Sequence, residues 1–472
     1  MPDRDRNQLV SAGRTRTIVF YALMIVAAAA VCLGILFAGG GFSAPSAEAG
    51  ATRAAHPGAT TVFRALVGLL LIVVTARGVG RIMKYFGQPS VVGEIIAGII
   101  LGPSLVGRFV PIIPPDVVPF LTIFAQVGVI LYLFVVGLEL DLDIVRGAGH
   151  STLAISHAGI VVPFLLGTGL ALYLFPILST SAVSFTTFAL FLGVSLSVTA
   201  FPVLARILDD QGITGSRLGS IALTCAAIDD VTAWCLLALV IGIAQADGWR
   251  AIPTIAATIA FAIVMLWIVA PFVRRATDRL ELPHPFGRAQ LAVVLMGMLA
   301  SAATTELIGV HGFFGAFLFG AIVPHRSRVT REIRERLHDV VAVLFLPVFF
   351  AYSGLRTHID LLVDQRSWIL CALITATACL GKFGGSFVAS RLSGLSWKDS
   401  TAMGVLMNTR GLVELIVLNL GLDMRLISPT LFTMLVVMAL VTTFMTTPFL
   451  LWVLHGTRSP AAIDEVRFIQ PV

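Results

Sequence analysis

Polar residues in this chain recur with neither a helical nor a strand period; they gather in short clusters between long apolar runs. A helix crossing the hydrocarbon of a bilayer needs about 20 mostly apolar residues. Fourteen runs approach that length: 17–38, 62–83, 91–107, 117–138, 152–175, 183–206, 217–245, 251–273, 288–305, 308–324, 339–355, 367–390, 400–420 and 428–455. The pattern predicts an all-α, polytopic membrane protein with 13 or 14 transmembrane helices. The first run has two readings. Basic residues precede it, and Ala47-Glu48-Ala49 resembles a small-residue cleavage site, but its apolar core exceeds the roughly 7–15 residues of a signal peptide. A retained extra helix is expected within residues 1–60.

With these spans in place, Lys and Arg in the loops segregate. One side of the membrane receives only Arg53, Arg108, Arg250, Arg356, Arg366 and Arg425, and every other loop Lys or Arg falls on the opposite side. By the positive-inside rule the basic side is cytoplasmic. Both termini are expected there, the C-terminus as a short tail at 457–472, in a multi-pass protein of the plasma membrane. Cleavage of the first helix would move only the N-terminus. With so short a tail, regulation is expected to act on the membrane part itself.

The pattern also repeats. "VVGEIIAGIILGP" at 91–103 matches "VHGFFGAFLFGAIVP" at 310–324, and "FVVGLELDLDI" at 134–144 matches "FAYSGLRTHIDL" at 350–361. This offset pairs residues 62–245 with 288–455 around a connector at 251–273. A shift of seven spans is odd, so two repeats of six helices would be inverted relative to one another, the arrangement in which transporter sites form near the midplane where discontinuous helices meet. The sixth and thirteenth spans each hold a polar break, "SLSVTAFPVLAR" at 195–206 and "MNTRGLVELIV" at 407–417. Pro202 lacks a backbone donor and Gly411 beside Arg410 weakens its helix. Irregular backbone at this depth survives only where it is buried in protein or lines a cavity, so the two breaks are expected to cross.

Composition agrees: 57% hydrophobic and 12% charged residues, with a mean hydropathy of +0.95, lie far from soluble usage. The net charge of +6 comes from loop residues and gives no reason to expect nucleic acid. The five cysteines (32, 225, 235, 371, 379) lie in apolar runs without metal-ligand spacing or a disulfide framework, and are expected to be buried packing residues. His157, His311 and Glu94 show no metal spacing, and "GKFGG" at 381–385 lacks the P-loop pattern. An enzyme is not expected, nor a cofactor.

The charges inside the spans carry the functional signal. Between Leu218 and Ala244 the only charged side chains are Asp229 and Asp230, each costing roughly 2.5–3.5 kcal/mol at a helix centre. The other candidates are Glu94, Lys382, and Arg410 with Glu414, the last two spaced to pair on one helix. Adjacent aspartates point about 100° apart on a helix, so one can hold Lys382 while the other faces a cavity, where protons and a metal ion compete for it. Hydroxyl and carbonyl oxygens complete a site for a small hard cation, and Thr199, Ser197 and the unwound backbone would supply them.

These segments resemble the monovalent cation:proton antiporter-2 family. "GQPSVVGEIIAGIILGPSLVG", "LFVVGLELDLD", "SLSVTAFPVLARIL", "AAIDDVTAW" and "MNTRGLVELIVLNLG" look like the membrane domain of plant and fungal cation/H+ exchangers and bacterial sodium/proton antiporters, over roughly residues 60–455. The resemblance implies a homodimer whose panel and core move in elevator-like alternating access, exchanging Na+ or K+ for H+. It maps the essential cation- and proton-binding acid onto Asp230, its neighbour onto Asp229, the core basic residue onto Lys382 and the broken-helix threonine onto Thr199. Ser197, Pro202, Asn408, Arg410 and Glu414 would support the breaks. Plant exchangers and the glutathione-gated potassium systems usually carry Asn or Gln where this chain has Asp229. Overall motif similarity thus points to potassium and the acid pair to sodium. The alternative functions are a cation channel or gating receptor on the same scaffold, or a proton-coupled exporter of an organic ion. No repeated selectivity-filter loop is visible.

Overall fold

The computed structural model describes residues 59–109, 113–114, 116–140, 149–181, 183–244, 251–280, 287–325 and 327–454. The expected first helix at 17–38 and the tail at 457–472 lie outside the described residues. Within them the chain is all helical, with twelve helical spans long and apolar enough to cross a membrane and one shorter apolar helix, Gly312–Ile322. Every apolar run predicted after residue 60 is a helix.

In the first repeat, α1 (Ala59–Tyr85), α2 (Ser90–Leu101) and α3 (Val118–Glu139) precede α4 (His150–Leu178). The broken span follows as α5 (Phe185–Ser197) and α6 (Phe201–Asp210), then α7 (Arg217–Ala244). The connector runs through α8 (Ala251–Val264), a π-helical turn at Met265–Val269 and α9 (Ala270–Leu280). In the second repeat, α10 (Arg288–Ile308) and α11 (Gly312–Ile322) precede α12 (Arg328–Val340), which continues through a π turn (Val341–Phe345) into α13 (Leu346–Leu355). Then come α14 (Gln365–Leu392), the broken span as α15 (Trp397–Met407) and α16 (Leu412–Asp423), and α17 (Pro429–Leu454). The run predicted at 339–355 starts earlier, at Arg328, because Ser327 caps a charged turn by accepting from the Thr330 amide at 3.0 Å.

Packing follows the inverted repeat. α1 packs on α2 as α10 packs on α11; α2 crosses α13 as α11 crosses α3; α4 packs on α5 as α14 packs on α15; and α4 packs on α14 across the pseudo-two-fold axis. Glycines allow the tightest crossings. A Cβ at Gly98 would strike the Ala351 carbonyl and one at Gly354 the Ile95 carbonyl. In the other repeat, Gly320 meets the Phe134 carbonyl and Gly137 the Phe317 carbonyl. Helices α1–α3 and α10–α13 form one layer, the panel, and α4–α7 with α14–α17 form the core. Of the predicted buried cysteines, Cys225 and Cys371 are buried, Cys379 is partly covered and Cys235 is exposed. Cys235 departs from the expectation because its position on α7 faces away from the packed helices.

Candidate functional site

Both halves of each broken span start or end for identifiable reasons. α5 is capped by Ser184, which accepts from the Thr187 amide at 3.2 Å, and α15 by Ser396, which accepts from the Asp399 amide at 3.0 Å. Thr180, just before α5, donates to the Arg425 carbonyl at 3.3 Å on the side poor in basic residues, and Ser396 lies two residues from Lys398 on the basic side, so the two half-helices enter from opposite sides. α6 starts with Pro202 in its first turn, where the missing donor costs nothing. A Cβ at Gly411 would lie 2.6 Å from Val203 Cγ2, so glycine allows the second break to press against α6.

The unwound segments cross in direct contact. The Ala200 amide donates to the Thr409 carbonyl at 3.1 Å, and Thr199 Oγ1 shares its one proton between the Met407 carbonyl at 3.1 Å and an Asp229 oxygen at 2.8 Å. The last carbonyls of a helix have no partners within it. For α5, two cations from the second repeat supply them. Arg410 donates to the Ser195 and Leu196 carbonyls at 2.8 and 2.5 Å, and Lys382 Nζ to the Ser197 carbonyl at 2.6 Å. Arg410 also pairs with Glu414 at 3.2 Å, both fully buried, as the spacing implied.

The two aspartates have different surroundings. Asp229 Oδ2 accepts from Lys382 Nζ and from Thr199 Oγ1, both at 2.8 Å, and Oδ1 accepts from Ser156 Oγ at 2.5 Å. Three donors on three elements thus hold a carboxylate that is completely buried. Asp230, one residue on, is 3% exposed. It faces the Phe201 amide at the start of α6, and its Oδ1 has no hydrogen-bond partner. A buried carboxylate oxygen without a donor is costly; Glu414 Oε2 is likewise unpartnered, but its carboxylate is paired with Arg410, whereas Asp230 has no ion-pair partner among the described residues.

A cavity of about 240 Å³ on the basic side reaches the first turns of α6 and α16, lined by Lys84, Tyr132, Pro202, Val203, Arg206 and Leu412 among others. A second crevice, about 440 Å³, enters from the opposite side between α3, α13 and α16; Tyr352, Arg356 and Leu422 line it, and no residue of either break does.

Thr199, Asp229, Asp230, Lys382, Arg410 and Glu414 therefore converge, with Ser197 contributing its carbonyl. The Ser197 hydroxyl, expected as an oxygen donor to the site, donates instead to the Val194 carbonyl at 2.8 Å, because it lies on the last turn of α5 and satisfies that turn. Asn408 points away from the acids, with Nδ2 3.5 Å from Cys379 Sγ on α14. Glu94 is buried in the panel on α2, outside the crossover. Two participants were missed. Ser156 on α4 holds Asp229, and Thr443 on α17 accepts from the Arg410 amide at 3.2 Å while donating to the Arg410 carbonyl at 2.7 Å. Their signal was a polar pair, Ser156-His157 or Thr442-Thr443, in an otherwise apolar run. Among the described residues no group of three or more His, Cys, Asp or Glu is placed to hold a resident metal.

The chain is similar to known cation/proton antiporters over most of its length. The chain is 40% identical over 395 residues to the Na(+)/H(+) antiporter NhaS4 of Synechocystis sp. (strain ATCC 27184 / PCC 6803 / Kazusa), covering 82% of this chain and 96% of that one. It is 38% identical to cation/H(+) antiporter 20 of Arabidopsis thaliana over 81% of its length, and 35% identical to K(+)/H(+) antiporter 1 of Saccharomyces cerevisiae over 76%. It spans about half the length of these plant and yeast relatives, 47% and 43%. The solved structure of the sodium proton antiporter MjNhaP1 from Methanocaldococcus jannaschii at pH 8 shares the fold, with a TM-score of 0.63 at 16% identity, covering 84% of this chain and 98% of that one. The family model for the transmembrane sodium/hydrogen exchanger matches residues 67–453, and the chain belongs to that family.

Proposed function

We propose that this protein is a secondary antiporter that exchanges a monovalent cation, Na+ or K+, for H+, with cation and proton competing for Asp230. The observation that carries this reading is the unpartnered Oδ1 of a buried Asp230 at the crossing of two broken helices. Asp229 serves a separate purpose: its three donors hold it as the counter-charge of Lys382. The names of the relatives, which include both Na(+)/H(+) and K(+)/H(+) antiporters, support exchange while leaving both cations in play. The core would carry the neutralised site past the panel in an elevator-like movement. The working unit would be a homodimer in the plasma membrane with its C-terminus in the cytoplasm.

The test is cation movement in proteoliposomes under an imposed pH gradient, with Na+ and K+ assayed separately. Accumulation of cation against its own gradient is expected, and Asp230→Asn should abolish it. Purely downhill movement would indicate a channel, and undiminished exchange by Asp230→Asn would remove the assignment of that residue.

A further inference from the structure

On the side away from the basic loops, panel and core are joined by a compact polar cluster. Arg356, at the end of α13 in the panel, places Nη2 2.6 Å from Asp423 Oδ1 and donates from Nη1 to Asn419 Oδ1 at 3.1 Å, both residues lying on α16 of the core. Asn419 Nδ2 returns to Ser353 Oγ on α13 at 2.7 Å. The guanidinium stands 5.3 Å from the Tyr352 ring centroid and 5.9 Å from that of Phe432, so aromatic faces from panel and core flank it. The crevice on this side is lined by Arg356 and Leu422 and by no residue of the breaks. The Arg356 and Asp423 side chains keep 19% and 35% of their exposure. A pair of that kind is weak enough to open.

Among the described residues, the repeat-related elements on the basic side make no such bridge. The match of "FVVGLELDLDI" to "FAYSGLRTHIDL" aligns Gly137 with Gly354 and therefore Glu139 with Arg356. The core partner of Arg356 ends α16, whereas the repeat-related α6 ends in Asp209 and Asp210, so panel and core both carry acids at the equivalent places. Arg206, within α6, is paired with Asp210 on its own helix at 3.1 Å and lines the cavity on that side together with Pro202, Val203 and Leu412.

We propose that Arg356, Asp423 and Asn419 form a latch that closes the path on the side away from the basic loops. It must open for the site to change sides. This rests on the alternating-access reading above. Unlike Asp230, these residues need not touch the transported ions; they set which face of the site is accessible. A ligand or substitution shifts such an equilibrium only through interactions that differ between its two states, and the latch exists in one state alone.

The test uses full-length protein with its native cysteines replaced by alanine, in proteoliposomes. In the variant Arg356→Cys/Asp423→Cys, oxidation to a disulfide should stop exchange and reduction should restore it. Full exchange in the oxidised, cross-linked protein would overturn the proposal. Should that variant be inactive before oxidation, charge reversal decides. Arg356→Glu should slow exchange, and Arg356→Glu/Asp423→Arg should recover most of it; failure to recover would count against the latch. If the unmodified protein itself fails to move cation against its gradient, the antiport reading fails instead, which separates the two failures.

Discussion

The two unwound segments meet at one point, yet their helix ends are held in contrasting ways. The C-terminus of α5 is closed by cations from the other repeat, Arg410 on the Ser195 and Leu196 carbonyls and Lys382 on the Ser197 carbonyl. The C-terminus of α15 is closed by its own backbone, with the Asn408 and Thr409 amides donating to the Val405 and Leu406 carbonyls at 3.3 and 3.1 Å and the Thr199 hydroxyl donating to the Met407 carbonyl. Fixed positive charge therefore sits at one break only. The lesson concerns division of labour: the negative end of the α5 dipole is occupied by protein cations, while Asp230 Oδ1, on α7 and facing the start of α6, is left without a donor.

The largest effect is expected where this asymmetry is removed. Arg410→Ala leaves Glu414 as an unpaired buried charge and strips two carbonyls of their donor, and breaking a buried pair costs about 3–5 kcal/mol. Folded yield and thermal stability in detergent should fall sharply. Arg410→Met/Glu414→Leu should recover part of the loss. An unaffected Arg410→Ala would mean that the charge at this break is dispensable.

Next comes Lys382→Ala. This too breaks a buried pair, about 3–5 kcal/mol, but Asp229 keeps Ser156 and Thr199 as donors, so the loss is expected at the low end of that range. It is accompanied by a marked fall in exchange. A melting temperature as low as that of Arg410→Ala would show that the two cations are equivalent, contrary to the comparison.

Smaller still, Ser156→Ala and Thr199→Val each remove one of three donors from Asp229, worth about 1.5 kcal/mol for a bond to a charged group. Exchange should persist with a reduced rate. Thr199→Val should cost more than Ser156→Ala, because Thr199 also ties the crossover through the Met407 carbonyl. The reverse order, measured by thermal shift and initial rates, would break that link. For the unmodified protein, competition at Asp230 gives a sign for pH: more protons displace more cation, so the apparent KM for the cation should rise as pH falls.

Much of the fold was legible because each span had to be apolar for its whole length, and the repeat showed through glycines that only close backbone crossings require, such as Gly98 and Gly354. The site was partly legible. Asp229, Asp230, Lys382 and Arg410 stood out as charges in apolar runs. Which aspartate takes Lys382 was open, since adjacent residues on α7 differ only by rotation and the packing of α4 and α14 decides it. Ser156 and Thr443 were hidden because hydroxyls inside a helix commonly bond their own preceding turn, as Thr442 does with the Met438 carbonyl at 2.9 Å. Only tertiary contact separates the two cases. For the same reason the Ser197 hydroxyl, which bonds its own turn, could not be distinguished from a hydroxyl facing the site.

The most direct test of the central claim is cation-evoked proton release from the purified protein in weakly buffered detergent, followed with a pH-indicator dye. Addition of Na+ or K+ to the unmodified protein should release protons, and Asp230→Asn, shown to be folded by its melting curve, should release none. Equal release from Asp230→Asn would contradict the claim that proton and cation compete for this carboxylate.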